Sequence, residues 1–101
     1  MKNNLYKLIC RAKQNDNDSI ILLLKKFDPL LIKYSSKLND HENAKGDLTL
    51  KFIYVIKKIP ILEKNFLYDK YILSYIKLSI SNYYLTLKHK QDLEYITIQK
   101  I

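Results

Sequence analysis

A chain of 101 residues has one domain's length, enough for a single hydrophobic core and too short for two. With 48% hydrophobic residues, one Gly and two Pro, it is neither a disordered tail nor a loop-rich fold, and an all-α bundle is the expected class. Eighteen Lys and Arg against ten Asp and Glu leave a formal charge of +8, which favours an anionic partner: nucleic acid, a membrane surface or an acidic protein.

Lys, Ile, Asn and Tyr are all heavily used, as in proteins from A- and T-rich coding sequences, so the placement of charge carries more than its total. The single Cys10 excludes an internal disulfide and, within the apolar set Leu5, Leu8, Ile9 and Ala12, is expected as a small core filler. No apolar run approaches the roughly 20 residues of a membrane span, and no signal-peptide h-region opens the chain. A cytoplasmic setting is the expectation.

In chain order, Asn3 and Asn4 are placed to cap a first helix to about Lys13. The polar cluster Gln14 to Asp18 breaks it. A second helix starting at Asp18 or Ser19 carries Ile20, Ile21, Leu23, Leu24 and Phe27, too many apolar residues for a helix with a fully solvated face, so it should be central to the packing. Asp28-Pro29 predicts a kink, or a break with Asp28 as the cap of a restarted helix bearing Leu30, Leu31, Tyr34 and Leu38. A third helix is expected from Asn43 to Ile59, where Pro60 ends it. Its apolar face is Leu48, Phe52, Val55, Ile56 and Ile59; Asp47, Lys51, Tyr54 and Lys58 lie in a stripe along the other side, with Asp47 and Lys51 forming a favourable i, i+4 pair. Glu63 to Asp69 is a loop unusually rich in apolar residues, with Phe66, Leu67 and Tyr68.

From Lys70 to Lys90 runs a basic, aromatic helix with no Gly, Pro or acid. Helical spacing puts Ile72, Ile76, Ile80, Tyr83 and Leu87 on one side and Lys77, Ser81, Tyr84 and Lys88 on the other, one to bury and one to offer to a polyanion. Tyr83 is assigned to the core; Tyr75 is compatible with either side. Beyond Lys90 the alternation of Leu93, Tyr95, Ile96 and Ile98 with polar residues fits a short extension, a strand-like tail or the start of a linker.

The chemistry of catalysis is missing. His41 and His89 are far apart, Cys10 has no neighbouring His, and a lone Gly is incompatible with the usual phosphate-cradling loops. No catalytic residue, metal site or cofactor is expected, and the protein is read as a non-enzyme.

Three stretches occur in a familiar order: Phe27-Asp-Pro-Leu-Leu-Ile-Lys-Tyr-Ser-Ser-Lys-Leu38, Gly46-Asp-Leu-Thr-Leu-Lys-Phe-Ile53 and Tyr75-Ile-Lys-Leu-Ser-Ile-Ser-Asn82. Over about Leu5 to Lys90 the chain resembles region 2 of bacterial RNA polymerase sigma factors. More narrowly it resembles the small sigma factors of clostridial toxin and bacteriocin genes and the related helix-turn-helix proteins of conjugative elements. The resemblance implies a compact bundle of four to five helices over residues 1–90, with 91–101 an extension or the start of a linker to a missing region 4.

It also implies partners. In that family the helix bearing the Asp-Leu pair docks on the clamp of the polymerase largest subunit, which assigns Asp47, Leu50, Lys51, Tyr54 and Lys58 to RNA polymerase core. The next helix captures the non-template strand of the promoter minus-ten element, which assigns Tyr71, Ser74, Tyr75, Lys77, Ser81, Asn82, Tyr84 and Lys88 to DNA, with the Glu63 to Asp69 loop helping to hold a flipped base. Ring faces stack on unpaired bases, Lys neutralises phosphate and Asn bonds a base edge. The chain departs from the housekeeping pattern at Ser74-Tyr75 and Leu78, where a Trp pair and a Gln stand, and at Leu50-Lys51, where a Gln-Glu stands.

Two other classes remain: a helical interaction module of a mobile element that binds a protein without reading DNA, and a peripheral membrane-binding bundle, which would leave a large apolar stripe exposed.

Overall fold

The computed structural model describes residues 4–99, and every regular element among them is helical. α1 spans Asn4–Lys13, α2 Asn17–Ser35, α3 His41–Lys58 and α4 Asp69–Gln99, with a 3₁₀ turn over Lys64–Leu67 between the last two. Asn3, expected to share the first cap, lies outside the described residues.

The turn after α1 is set by backbone geometry. Asn15 adopts φ 66°, a left-handed conformation that Asn tolerates better than most residues. The Asn15 N–H then donates to the Ala12 carbonyl at 2.9 Å and the Asp16 N–H to the Arg11 carbonyl at 3.1 Å, closing α1 with a Schellman arrangement. Asp16 occupies the cap position of α2, but its carboxylate accepts from the buried Ser19 hydroxyl at 2.7 Å.

α2 runs through Pro29 without the expected break. The reason is orientation. Pro29 and Lys25, whose carbonyl loses its i+4 donor, are both exposed, so water can serve that carbonyl while Phe27 and Leu31 stay buried. α2 is central as expected, touching all three other helices. It nevertheless leaves Ile21, Leu22 and Ile32 exposed on its outer face.

α3 begins two residues before the expected Asn43, because Asp40 is the cap that forms. One carboxylate oxygen of Asp40 accepts from the Asn43 backbone N–H at 3.2 Å and the other from the Asn43 side-chain amide at 2.7 Å. Gly46 is an ordinary helical residue. Ile59, just before Pro60, turns extended and ends the helix. The C-terminal carbonyls of α3 find a partner from α1: the Lys13 ammonium donates to those of Lys57 and Ile59, each at 2.8 Å.

The core is one cluster built from Leu5, Ile9, Leu23, Leu31, Phe52, Ile56 and their neighbours. Ile72, Ile76 and Ile80 are each 0% exposed, which fixes which side of α4 faces inward. Ile61 and Phe66 anchor the segment between α3 and α4, Phe66 meeting Tyr75 edge-on at 5.5 Å. The segment expected as an apolar loop is thus partly core. α4 continues as helix past Lys90 to Gln99, which decides among the three conformations open for that tail. Its 31 residues, about 46 Å long, outrun the bundle: no described side chain from Lys88 to Ile96 is buried. Among the described residues no helix is long and apolar enough to cross a membrane, and no cluster of three potential metal ligands occurs.

Candidate nucleic-acid interface

With Ile72, Ile76 and Ile80 turned inward, the remaining surface of α4 divides into two flanks and an outer ridge. One flank meets α2. Lys77, Ser81, Tyr84 and Lys88 follow it at helical spacing, Lys77 exposed and the other three half-buried. The Tyr84 ring packs against Tyr34 of α2 at 5.0 Å, and the Lys37 ammonium sits 5.5 and 5.9 Å from the two ring centres. The Ser81 hydroxyl donates to the Leu78 carbonyl, and Lys88 pairs with Asp92 at 3.2 Å. Of the four residues expected to face a polyanion together, Lys77 is the one both exposed and unengaged by such a contact among the described residues.

The other flank meets α3. Tyr75, Ser79, Asn82 and Thr86 form its polar row, again at i, i+4, i+7 and i+11. Across from them stand Lys51, Tyr54 and Lys58 of α3, and between the two rows lies an open groove of about 310 Å³. The Lys51 ammonium lies 4.9 Å from the Tyr54 ring centre and 5.5 Å from that of Tyr83; Lys58 lies 5.9 Å from Tyr54. The expected Asp47–Lys51 ion pair does not form, because Lys51 turns toward these two rings instead. On the ridge, Ser74 and Tyr71 are exposed, Tyr71 against Tyr68 with the Lys70 ammonium 5.1 Å from its ring.

The stripe assigned to polymerase is divided by this geometry. Asp47 and Leu50 border a shallow depression of about 860 Å³ between α2 and the start of α3, shared with Ile32 and Ser36. Leu50 is 69% exposed and Tyr54 54%, both high for large side chains. Lys51, Tyr54 and Lys58 instead face Tyr75 and Asn82, so parts of two separately predicted sets share one groove. Sequence reasoning missed Tyr83, Ser79 and Thr86 as lining residues, and Tyr34 and Lys37 as partners of Tyr84. The row Tyr75, Ser79, Asn82, Thr86 was visible as a polar helical stripe; the Tyr34 contact had no local signal.

The bundle is that of a small helix-turn-helix protein. A family model described as a helix-turn-helix domain matches residues 6–59, which cover most of α1 and all of α2 and α3, and the chain belongs to that family. The chain is similar to RNA polymerase sigma factors named TcsR from Paraclostridium sordellii: two of them are 34% identical over 79 residues, 78% of this chain. The match covers 46% of one and 45% of the other, so the chain spans about half the length of these curated relatives. No solved structure gives a significant match.

Proposed function

We propose that this chain is the core-binding and promoter-opening domain of a small alternative RNA polymerase sigma factor, acting by binding rather than by catalysis. The observation that carries the proposal is the acid-free, outward surface of α4 from Lys70 to Lys90, in a chain similar to sigma factors over most of its length. A strand lying along that surface meets Tyr71, Ser74, Lys77 and Ser81, with Lys77 and Lys88 near its phosphates. The N-terminal end of the α3 stripe, Asp47 and Leu50, supplies a docking patch for the polymerase clamp. Exposed Leu50 supports this, since an apolar side chain rimmed by polar ones gains by being covered.

The test has two arms. Core RNA polymerase captures the wild-type chain, and Asp47→Lys or Leu50→Glu reduces capture; equal capture by all three sinks the docking assignment. Single-stranded promoter DNA binds more tightly than the same sequence as duplex, with log affinity falling by about 0.7 per log unit of salt for each phosphate contact. Equal affinity for the two forms, or an affinity indifferent to salt, sinks the strand-capture assignment.

A further inference from the structure

We infer that the outward face of α4, where it outruns the bundle, docks on the same face of a second copy of this chain, the two helices running antiparallel with Leu85 of one against Ile96 of the other. The inference goes beyond the reading above and does not depend on it.

The surface follows from helical phase. Leu78, Leu85, His89 and Ile96 are spaced by seven, four and seven residues, which sets them within about 40° of arc on one side of α4. The core line of Ile72, Ile76 and Ile80 lies on the opposite side. Gln91 keeps that orientation at the end of the bundle: its side-chain carbonyl accepts from the Asn39 backbone N–H at 2.7 Å, which turns its side of α4 toward the connection between α2 and α3. Leu85, His89 and Ile96 therefore point away, Leu85 59% and Ile96 47% exposed, with exposed Leu93 beside them. Scattered exposed apolar residues are ordinary, but a line of them along a helix that outruns its own bundle is a face made for another surface.

Charge selects the occupant. From Lys70 to Lys90 the helix has no acid, and Asp92 and Glu94 follow directly, so this end of α4 is no continuation of the surface offered to a polyanion. A parallel copy would set Lys88, His89 and Lys90 beside their own equivalents. An antiparallel copy does the reverse: the alignment that brings Leu85 against Ile96 also brings His89 against Asp92, and the two-fold axis repeats both contacts. One alignment thus satisfies the apolar and the polar residues of the line together. Asp92 has capacity for both partners. Lys88 meets it at 3.2 Å as an exposed i, i+4 pair that contributes little, and the carboxylate keeps acceptor sites for the His89 N–H of the second copy.

Each copy carries +8, which opposes association at distances beyond direct contact. Salt screens that repulsion, so pairing strengthens as salt rises, the reverse of a phosphate contact. The crossing is centred between His89 and Asp92, about 20 Å along the helix from Lys77, and leaves Tyr71, Ser74 and Lys77 of both copies open.

The experiment is sedimentation velocity of the whole nuclease-treated chain, over about a hundredfold range of concentration and at low and moderate salt, with circular dichroism to confirm that each variant keeps its helices. The wild type is expected to form a dimer whose population rises with concentration and with salt. Leu85→Glu and Asp92→Lys are each expected to weaken dimerisation about tenfold. Asp92→Lys combined with His89→Glu is expected to restore it to within about threefold of the wild type, since the exchanged charges meet again in an antiparallel pair and repel their own kind in a parallel one. Leu22→Glu, on the exposed outer face of α2, is expected to leave it unchanged.

A chain that stays monomeric, dimers that Leu85→Glu leaves intact, dimers lost on nuclease treatment or added salt, or a double variant no better than Asp92→Lys overturns the inference. A monomer that instead sediments with phosphatidylglycerol vesicles, and ceases to on Leu85→Glu, overturns it in favour of a lipid surface. Capture of core polymerase is untouched by any of these results, so the sigma-type reading stands or falls separately.

Discussion

The Lys13 ammonium ties α1 to the C-terminal end of α3, and Lys13→Met tests what that tie contributes. Its Nζ donates to two carbonyls at the C-terminal end of α3, Lys57 and Ile59, each at 2.8 Å. A hydrogen bond to a charged group contributes about 1.5 to 3 kcal/mol net, and a cation at a helix C-terminus about 0.3 to 1 kcal/mol more. Both figures must be discounted here. The Lys57 carbonyl is exposed and recovers a water, and the Ile59 carbonyl keeps the Ile61 N–H at 2.8 Å, so neither acceptor is stranded. The expected loss is about 1 to 2 kcal/mol, or roughly 5 to 15 °C in midpoint for a domain of this size. Met keeps the aliphatic stem, so the change isolates the ammonium. Thermal and urea melts followed by far-ultraviolet circular dichroism measure it. The control is Lys57→Met, which removes the exposed 2.7 Å bond to the Asn15 side chain and should cost less than about 0.5 kcal/mol. If Lys13→Met melts with the wild type, or no lower than Lys57→Met, α3 does not depend on a side-chain cap from α1 and the reasoning is wrong.

Two further substitutions probe the backbone. Gly46→Ala should stabilise the chain by about 0.5 to 1 kcal/mol, because Gly46 is helical and a Cβ there meets nothing within 4 Å; a lower urea midpoint would show that the site needs glycine. Pro29→Ala should restore the missing donor to the Lys25 carbonyl and raise stability by about 1 to 2 kcal/mol, the helical gain being partly offset by a freer unfolded chain. An unchanged or lower midpoint there would mean that α2 has adapted to Pro29 at no cost.

What could be read from sequence followed from burial. Ile72, Ile76 and Ile80 recur every fourth residue and are the most buried line of α4, because only one face of a helix can meet a core. Helix ends were less legible. Between Asn39 and Asn43 three residues are able to cap, and which of them does so depends on backbone angles that composition does not set. Pro29 misled because the rule against proline in helices assumes that the orphaned carbonyl goes unserved, whereas here it faces solvent. No described side chain past Lys90 is buried, so Leu93, Tyr95 and Ile96 carry no core period to interpret.

The candidate site was legible helix by helix and no further. Periodicity placed Asp47, Lys51, Tyr54 and Lys58 on one stripe of α3, and that stripe exists. It could not show that Lys51, Tyr54 and Lys58 look across a groove at Tyr75 and Asn82, since that depends on how two helices sit against each other. The two seams beside α4 make the point physically. On the α2 side, Tyr34 and Tyr84 close ring against ring at 5.0 Å beneath Lys37. On the α3 side, Tyr54 and Tyr83 are bridged by Lys51 rather than by each other, and the seam stays open. The same residue types thus seal one flank and leave the other open.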